Sequence, residues 1–305
     1  MEGLDSKGGF RSGFVALIGR PNAGKSTLIN AVLGKKLAIT SDTPQTTRHR
    51  FRAVLNGEGF QLILVDTPGI HKPRDVLGEE LNRSAQKAVE SVDAICFLLD
   101  ATKPFGTGDE WILDSLQGSK APLILVVSKT DLADVSTIDS QAKAATAAYE
   151  FAQVVTVSAK EGKNLDRFVE AASSFLPEGP KWFPDDVDTD QPLEVIIAEF
   201  IREKALTQTF DEVPHAVGVQ VEELKHDKKK GLYLLYVIIY VERDSQKRIL
   251  IGAKGERIKE IGTQARMDLE QLLGAHVFLD LRVKVRKNWR RDANQIRRFG
   301  YGEGA

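Results

Sequence analysis

The sequence predicts an α/β domain, with a mostly parallel sheet and helices on both faces, followed by a smaller α+β domain. Short and nearly continuous apolar runs alternate with helical stretches through the first 180 residues, as buried parallel strands and their crossover helices do. A segment rich in proline and acidic residues then ends this alternation. Beyond it, helices and strands follow one another in a different order.

The apolar runs of the first domain each span four to six residues and lack the alternation of a half-exposed strand. They are Phe14–Ile18, Leu62–Val65, Ala94–Leu99, Leu123–Val127 and Val154–Val157. Helices are predicted between them, at Ser26–Leu33, Leu77–Val89 and Asn164–Phe175. Ligands of such sheets bind beyond the carboxyl ends of the strands, so the residues after each run are the candidate site.

A linker is predicted between the two domains. Residues 176–192 contain four prolines and five acidic residues, a composition typical of an extended connection. We assign residues 1–180 to the first domain, 181–192 to the linker and 193–305 to the second domain. The second domain is expected to contain helices near Leu193–Leu206 and Glu256–Leu273, and strands near Ala216–Leu224, Leu232–Val241 and Val277–Val285.

The composition of the 305-residue chain is ordinary for a globular protein, with 42% hydrophobic and 28% charged residues. A single cysteine, Cys96, excludes an internal disulfide. The longest apolar run, Leu232–Val241, has ten residues, whereas a membrane-spanning helix needs roughly 20. No apolar targeting segment opens the sequence. These features favour the cytosol.

The net charge of −1 hides a strong asymmetry along the chain. From Lys228 onward there are 18 basic and 9 acidic residues, whereas the preceding residues include 24 basic and 34 acidic ones. A basic end on a nearly neutral chain predicts an anionic partner there. A solvated charged surface is the alternative interpretation.

The segment from Gly19 to Ser26 matches the pattern G-x-x-x-x-G-K-[ST] between a predicted strand and a predicted helix. In that context backbone N–H groups surround phosphate oxygens, and the helix N-terminus favours the anion. Lys25 is expected to reach the β- and γ-phosphates, and Ser26 to coordinate Mg²⁺. The predicted phosphate-binding residues are Gly19, Asn22, Ala23, Gly24, Lys25, Ser26 and Thr27.

Asp66 follows the second apolar run and opens the sequence Asp-Thr-Pro-Gly. Its carboxylate can hold Mg²⁺, and the Gly69 N–H can meet the γ-phosphate and move once that phosphate is lost. A threonine in the preceding polar stretch can offer its hydroxyl to the same ion in the triphosphate state, and Thr47 is favoured over Thr46. Lys25, Thr47, Asp66 and Gly69 are the predicted catalytic residues, with Ser26, Thr47 and Asp66 as Mg²⁺ ligands.

Two further motifs predict that the base is guanine. Ser128-Lys-Thr-Asp131 follows the fourth apolar run, and Ser158-Ala-Lys160 follows the fifth. Asp131 can accept hydrogen bonds from guanine N1–H and the N2 amine, whereas adenine has no matching donor pair and would leave the carboxylate unpaired. The Lys129 stem can lie over the base, and the Ala159 N–H can donate to O6. The predicted base contacts are Ser128, Lys129, Asp131, Ser158, Ala159 and Lys160.

The basic second domain contains the pattern G-x-x-G at Gly252–Gly255, before a predicted helix. A loop poor in side chains lets an RNA backbone approach closely, and Lys254 supplies charge. Basic residues alternate with valines from Arg282 to Arg286, so one face of that strand should be basic and the other buried. Trp289 fits either stacking on a base or a place in the core. The predicted RNA contacts are Gly252, Ala253, Lys254, Gly255, Arg257, Lys284, Arg286 and Lys287.

Together these motifs resemble the Era family of ribosome-associated GTPases. The resemblance rests on the phosphate-binding segment, Pro44-Gln-Thr-Thr-Arg-His-Arg50, Asp66-Thr-Pro-Gly-Ile-His71 and the basic domain, and it extends from Phe14 to about Arg298. It implies a P-loop GTPase domain followed by a KH-type RNA-binding domain of type II. It also implies GTP, GDP and Mg²⁺ as ligands, binding near the 3′ end of 16S ribosomal RNA, and a role in maturation of the 30S small subunit. The nucleotide state would control exposure of the KH surface.

Three positions bear on how this site would work. The family usually has asparagine where this chain has the shorter Ser128, so a correct but weaker guanine preference is expected. Ile70 occupies the position where many GTPases have a glutamine that orients the attacking water. Intrinsic GTP hydrolysis should therefore be slow, unless other groups position that water. Family members with asparagine at the position of Asn22 are thought to bind K⁺, which makes Asn22 a candidate K⁺ ligand.

A second interpretation stays open, in which the basic domain docks on a protein or an anionic membrane surface. The G-x-x-G loop and the basic strand favour RNA, whereas a basic amphipathic helix would favour a membrane. We expect a cytoplasmic monomer, with peripheral association at the inner face of the cell membrane as the alternative location.

Overall fold

The computed structural model describes residues 9–41, 43, 46–70, 73 and 75–301. Pro44, Gln45 and His71, which contribute to the family resemblance, lie outside the described residues. The chain divides into two compact units. The first unit consists of Met1–Lys35, Arg50–His71 and Ala85–Asp190, and the second of Lys36–His49, Lys72–Ser84 and Gln191–Ala305. The second unit is therefore assembled from three separate stretches of chain.

In chain order the strands and helices are β1 (Arg11–Gly19), α1 (Lys25–Leu33), β2 (Phe51–Gly57), β3 (Phe60–Asp66), α2 (Val76–Val89), β4 (Ala94–Asp100), α3 (Thr107–Ser115), β5 (Leu123–Ser128), α4 (Val135–Ala148), β6 (Gln153–Thr156), α5 (Leu165–Ser173), α6 (Leu193–Thr207), α7 (Val213–Ala216), β7 (Gly218–Asp227), β8 (Leu232–Val241), α8 (Asp244–Ile251), α9 (Glu256–Leu273), β9 (His276–Val285) and α10 (Ala293–Arg298). The five predicted apolar runs correspond to β1, β3, β4, β5 and β6.

The first unit contains a six-stranded sheet with the order β2-β3-β1-β4-β5-β6. All neighbouring pairs are parallel except β2 with β3, which is antiparallel. Every residue of β4 is buried, which explains why its sequence is continuously apolar up to Asp100. The strand β2 was not among the apolar runs because polar residues such as Arg52 and Asn56 interrupt it at the sheet edge. The predicted α/β class is confirmed.

The predicted linker residues up to Asp190 pack on the first unit. The Gln61 amide oxygen accepts hydrogen bonds from the backbone N–H groups of Trp182 and Phe183, at 2.8 and 2.9 Å. Arg52 forms an ion pair with Asp190 at 2.7 Å. Composition alone indicated a connection here, and these contacts show that residues up to Asp190 are held on the first unit, with a turn at Asp185 and Asp186 in place of a fully extended backbone.

The second unit contains a three-stranded sheet with the order β7-β8-β9, in which β8 pairs antiparallel with β7 and parallel with β9. The helices α6 and α9 pack against one face and form its core. Ile39, from the stretch Lys36–His49, is buried in that same core. Helix, two strands, two helices and a strand follow in the order expected for a type II KH fold, which is confirmed.

Trp289 belongs to the core on the opposite face of this sheet. Its side chain is fully buried, its indole N–H donates to the Ala216 carbonyl at 2.9 Å, and its ring meets Phe299 edge-on at 4.9 Å. The other members of this core cluster are Leu77, Leu81, Ile238, Tyr240, Ile296 and Tyr301. Of the two interpretations of Trp289, the structure selects the core one.

Among the described residues, no helix has both the length and the apolar character needed to cross a membrane.

Replacing Trp289 should destabilise the second unit. Trp289→Ala is expected to cost about 3–5 kcal/mol of unfolding free energy, because it empties a buried ring site and leaves a carbonyl without its donor. Guanidinium titration followed by circular dichroism measures the change. The control is Trp182→Ala, since Trp182 is 61% exposed and should cost about 1 kcal/mol or less. Small and equal losses for the two variants would contradict a core role for Trp289.

Candidate functional site

The predicted nucleotide motifs of the first unit meet at one edge of its sheet. The strands β1, β3, β4 and β5 run parallel, so the loops that follow them emerge at the same edge. Leu17 of β1 pairs with Asp66 of β3, and Asp100 of β4 pairs with Ser128 of β5. Strand register therefore brings together residues that are far apart in sequence.

The loop Gly19–Ser26 turns from β1 into α1. Gly24 caps the helix with φ of 95°, and its carbonyl accepts the first helical hydrogen bond, from the Leu28 N–H at 2.9 Å. Asn22 has a left-handed backbone with φ of 63°. Ala23 is buried, whereas the side chain of Thr27 is exposed on the helix. The N-terminus of α1 thus lies at this loop. The first N–H groups of the helix, which have no acceptor within the helix, are directed toward it.

Lys25 is buried at the start of α1. Its ammonium group donates to the carbonyls of Gly19 and Arg20, each at 3.3 Å. Burial lowers the pKa of Lys25, and the nearby Asp66 carboxylate opposes that shift. A negative charge placed next to this buried ammonium group would stabilise its charged form.

Ser26 and Asp66 form an adjacent pair of oxygen donors. The Ser26 hydroxyl donates to Asp66 Oδ2 at 2.7 Å, and both side chains are buried. The next residue, Thr67, donates its hydroxyl to the Leu17 carbonyl at 2.8 Å, which ties the end of β3 to β1. A hydroxyl and a carboxylate in this arrangement suit a hard divalent cation.

Gly69 packs directly against the phosphate loop. A Cβ atom at this position would lie 2.9 Å from the Pro21 Cα, closer than side chains tolerate. A glycine is therefore required for the two backbones to approach. The next residue, Ile70, is buried in the apolar core beside Ile95 and Phe97, so its side chain faces away from solvent.

Asp131 is held in place by Ser158. The Ser158 hydroxyl donates to Asp131 Oδ1 at 2.7 Å and accepts from the Glu161 N–H at 3.1 Å. Ala159 is half-buried and Lys160 is exposed. The structure thus brings together the two predicted base motifs, one from the end of β5 and one from the loop after β6.

Ser128 contacts the phosphate loop. Its hydroxyl lies 2.7 Å from the Ala23 carbonyl and 3.1 Å from the Leu99 carbonyl, so it donates within this pair. The serine therefore braces the base loop against the phosphate loop, one of the two tasks expected of an asparagine here. Its single hydroxyl hydrogen is used internally and is not available to a base.

Two ion pairs at this edge were not predicted. Arg20 Nη1 lies 3.5 Å from Asp109 Oδ2, and Lys129 Nζ lies 2.7 Å from Asp100 Oδ2. The pKa of Asp109 is raised because burial outweighs the opposing effect of Arg20. Asp100 could have been identified from the sequence, because it ends an apolar strand as Asp66 does.

The stretch that carries Thr46 and Thr47 belongs to the second unit. The Thr46 hydroxyl donates to the Thr43 carbonyl at 2.6 Å, and the Thr46 carbonyl accepts from the Arg202 guanidinium. Thr47 is half-buried. The side chain of Thr46 is thus engaged within its own stretch of chain.

Two buried arginines attach this stretch to the rest of the second unit. Arg48 donates to the carbonyls of Val217 and His215 at 2.6 and 3.1 Å, and Arg202 is paired with Glu199 at 2.5 Å. Burial, and then the neighbouring Arg202, lower the pKa of Arg48 to about 10. Lys36 adds ion pairs to Glu203 and Asp268 at 2.5 and 2.7 Å.

The G-x-x-G segment forms a tight turn between α8 and α9. Gly252 has φ of 73°, and a Cβ on it would lie 2.8 Å from the Arg257 Cβ, so both conformation and space demand glycine. Lys254 has φ of 51° and an exposed side chain. The Arg257 guanidinium donates to the Ile249 carbonyl at 2.5 Å, which closes the turn from below.

A groove of about 320 Å³ runs beside this turn, between α9 and β9. It is lined by Ile258, Lys259, Gly262, Thr263, Arg266, Leu279 and Leu281.

Lys284 lies on the other face of β9, because residues of even number alternate with Leu279 and Leu281. The Arg286 side chain covers Tyr240 and donates to Gln295, and Lys287 is exposed beyond the strand. The structure therefore does not bring Lys284 and Arg286 into the groove, whereas it does place Lys259 and Arg266 there.

Comparison with known proteins identifies the family of the chain and the two domains. A family model described as a 50S ribosome-binding GTPase matches residues 14–129, and a KH domain model matches residues 212–290. GTPase Era of Staphylococcus epidermidis is 45% identical over 294 residues, which cover 96% of this chain and 98% of that protein. The chain belongs to the Era family.

Solved structures of Era proteins match this Era-family chain over almost its full length. A variant of Aquifex aeolicus Era bound to GDP and AlF4⁻ is 39% identical, with a TM-score of 0.92 over 96% of this chain and 99% of that one. Era in complex with MgGDPNP and nucleotides 1506–1542 of 16S ribosomal RNA matches with the same identity and coverage and a TM-score of 0.93. The family resemblance and the order of a P-loop GTPase domain before a KH domain are confirmed, and this Era-family chain is a GTPase.

Ser128 gives this Era-family chain a testable peculiarity. Ser128→Asn should tighten GDP binding about three- to tenfold, because the longer amide can brace the Ala23 carbonyl and still offer a hydrogen bond to the base. Ser128→Ala should weaken binding by a similar factor, since the hydrogen bond that ties the base loop to the phosphate loop is lost. Isothermal calorimetry measures both. An unchanged GDP affinity in Ser128→Asn would show that serine contributes as much to GDP binding as asparagine does.

Proposed function

We propose that this GTPase is a nucleotide-dependent switch that binds the 3′ region of 16S ribosomal RNA and assists assembly of the 30S small subunit. The observation that carries the proposal is the presence, in one chain, of a guanine-nucleotide site and a G-x-x-G turn beside a groove with basic residues. The Era structure with MgGDPNP and a 16S ribosomal RNA fragment supports it, since the two chains are 39% identical.

GTP, GDP and Mg²⁺ are the proposed ligands of the first unit. The Ser26 hydroxyl and the Asp66 carboxylate are oxygen donors 2.7 Å apart, the type of ligand that Mg²⁺ prefers. Thr47 is proposed to add its hydroxyl in the GTP state. When bound, Mg²⁺ would neutralise part of the phosphate charge. Lys25 would stabilise the charge that develops on the β- and γ-phosphates, and the Gly69 N–H would meet the γ-phosphate.

Asp131 is proposed to choose guanine over adenine. Its carboxylate is oriented in advance by the Ser158 hydroxyl at 2.7 Å, so little ordering is needed when the nucleotide binds. The Ala159 N–H would donate to guanine O6. Ser128 supports these groups through the phosphate loop, and the stem of Lys129 would cover the base.

K⁺ is proposed to assist hydrolysis through Asn22. Ile70 is buried and its side chain cannot form a hydrogen bond to water. Additional positive charge near the phosphates would therefore help the reaction. GTP hydrolysis should therefore be at least several-fold faster in K⁺ than in Na⁺ at equal ionic strength. Asn22→Ala should lose this difference. Equal rates in the two salts would overturn the proposal.

The nucleotide state is proposed to reach the RNA surface through residues 36–49. Thr47 lies in this stretch, which supplies Ile39 to the core of the second unit and is bonded to α6 through Arg202. If Thr47 moved to bind Mg²⁺ in the GTP state, the neighbouring contacts of Ile39 and Arg202 would have to change as well. GTP and RNA would then influence each other's affinity reciprocally.

The proposed RNA surface is centred on the turn Gly252–Gly255 and the adjoining groove. The glycines and Ala253 allow a close approach of the RNA backbone, and Lys254 contributes charge. Lys259 and Arg266 line the groove and are added to the proposed contacts. Arg257, Lys284, Arg286 and Lys287 remain candidates at its periphery, although two of these guanidinium groups already have protein partners.

We propose that the chain acts as a monomer in the cytoplasm, where ribosomal RNA is available. Docking of the second unit on a protein or on an anionic membrane at the inner face of the cell membrane is the competing hypothesis. It would be favoured if the unmodified chain bound acidic vesicles but not RNA.

Charge reversal in the G-x-x-G turn should weaken RNA binding. For a fluorescent RNA containing the equivalent of nucleotides 1506–1542, Lys254→Asp should reduce affinity at least about tenfold. Lys229→Asp is the charge-matched control, because Lys229 is exposed in the turn between β7 and β8 and does not line the groove. The affinity of the unmodified chain should also differ between the GTP-analogue and GDP states and fall steeply with salt.

Equal losses in the two charge-reversal variants would argue for a diffuse electrostatic attraction instead of a built RNA site. Identical RNA affinities in the two nucleotide states would contradict the switch.

A further inference from the structure

The strand β4 ends in a carboxylate that faces the lysine of the base loop. Asp100 is the last residue of β4 and pairs in register with Ser128, the neighbour of Lys129. Its Oδ2 atom lies 2.7 Å from Lys129 Nζ. Asp100 is 7% exposed, so this ion pair is largely shielded on the carboxylate side.

The carboxylate itself is rigidly held. Asp100 Oδ1 accepts hydrogen bonds from the Thr102 N–H at 3.0 Å and from the Thr102 hydroxyl at 2.6 Å. Burial alone would raise the pKa of Asp100, but the hydrogen bonds from Lys129 and Thr102 outweigh it and the pKa falls below its usual range. One oxygen is thus anchored to the strand end, and the other is ionised and directed at Lys129. Lys103, at 3.9 Å and well exposed, is a weaker second cation.

Lys129 is placed where its side-chain direction matters. Its backbone has φ of 58° and caps the short turn Thr130–Leu132, which carries Asp131. A lysine stem has four rotatable bonds and loses considerable entropy when it is held in one conformation. An ion pair at the tip selects that conformation before a ligand arrives, so the cost is not added at the moment of binding.

We propose that Asp100 is a positioning residue for nucleotide binding, which holds the Lys129 ammonium so that the lysine stem forms an apolar platform for the base. This role rests on the proposed guanine-nucleotide site. A stem can cover any base and contacts it equally before and during phosphoryl transfer. Asp100 therefore strengthens nucleotide binding without changing the chemical step or the choice of base, which belongs to Asp131.

The test is Asp100→Asn, which removes the charge and keeps an acceptor for Thr102. The Kd for GDP, by calorimetry, and the KM for GTP should both rise about three- to tenfold, with kcat changed by less than about twofold. Lys129→Met keeps an apolar stem without the ammonium group. In that background Asp100→Asn should have no further effect on the Kd, because the two residues act as one unit.

Asp93→Asn is the matched control at the other end of β4. Asp93 Oδ2 accepts the Phe14 N–H at 2.8 Å, and an asparagine keeps an acceptor there. This change therefore removes a carboxylate charge without affecting the Kd for GDP. A normal Kd in Asp100→Asn, or additive losses in the double variant, would overturn the role of Asp100 alone. Failure of the unmodified chain to bind GDP would instead overturn the proposed nucleotide site, and this role with it.

Discussion

Parallel strand register in the first unit is the constraint on which the candidate site depends. Adjacent strands end almost level, with Asp66 beside Leu17 and Asp100 beside Ser128. Loops that are separated by as many as 105 residues therefore emerge within hydrogen-bonding distance of one another, as the bond from Ser128 to the Ala23 carbonyl shows. The strands are set by apolar burial on both faces, so the hydrophobic core supplies the precision that the polar groups need.

A different constraint governs the second unit, where charge is buried. Arg48 and Arg202 are both fully buried, and Glu199 is the carboxylate nearest to Arg202. Much of the remaining compensation comes from backbone carbonyls, including those of Val217 and Thr46. Burying guanidinium groups costs free energy unless they are hydrogen-bonded, so these carbonyls offset part of the cost of burying Arg48 and Arg202. The cation–π contacts of Arg48 with Trp289 and Tyr301 extend this arrangement into the aromatic core.

Elements with strong local patterns could be predicted from the sequence. The strand Leu232–Val241 and the helix Glu256–Leu273 have the predicted bounds, and each predicted nucleotide motif follows the strand that was expected to precede it. The edge strand β2 could not be recognised, because a partly exposed strand with polar residues lacks a continuous apolar run. The alternation from Arg282 to Arg286 showed that one face is basic, but only the packing of α9 shows that the groove lies on the other face. Likewise, local periodicity contains no information about the long-range partners of Ile39 or Arg48.

Because the second unit is assembled from three stretches of chain, it cannot be transferred to another protein as one continuous segment. A gene fusion that transferred only the last third of the coding sequence would deliver a sheet and its helices without Ile39, Arg48 and Leu77, which complete its two apolar clusters and its buried charge network. Other residues at those positions would have to fill the same apolar sites and supply the same hydrogen bonds. A break of the chain at the proline-rich connection would therefore separate the last third of the sequence from residues that fill its core.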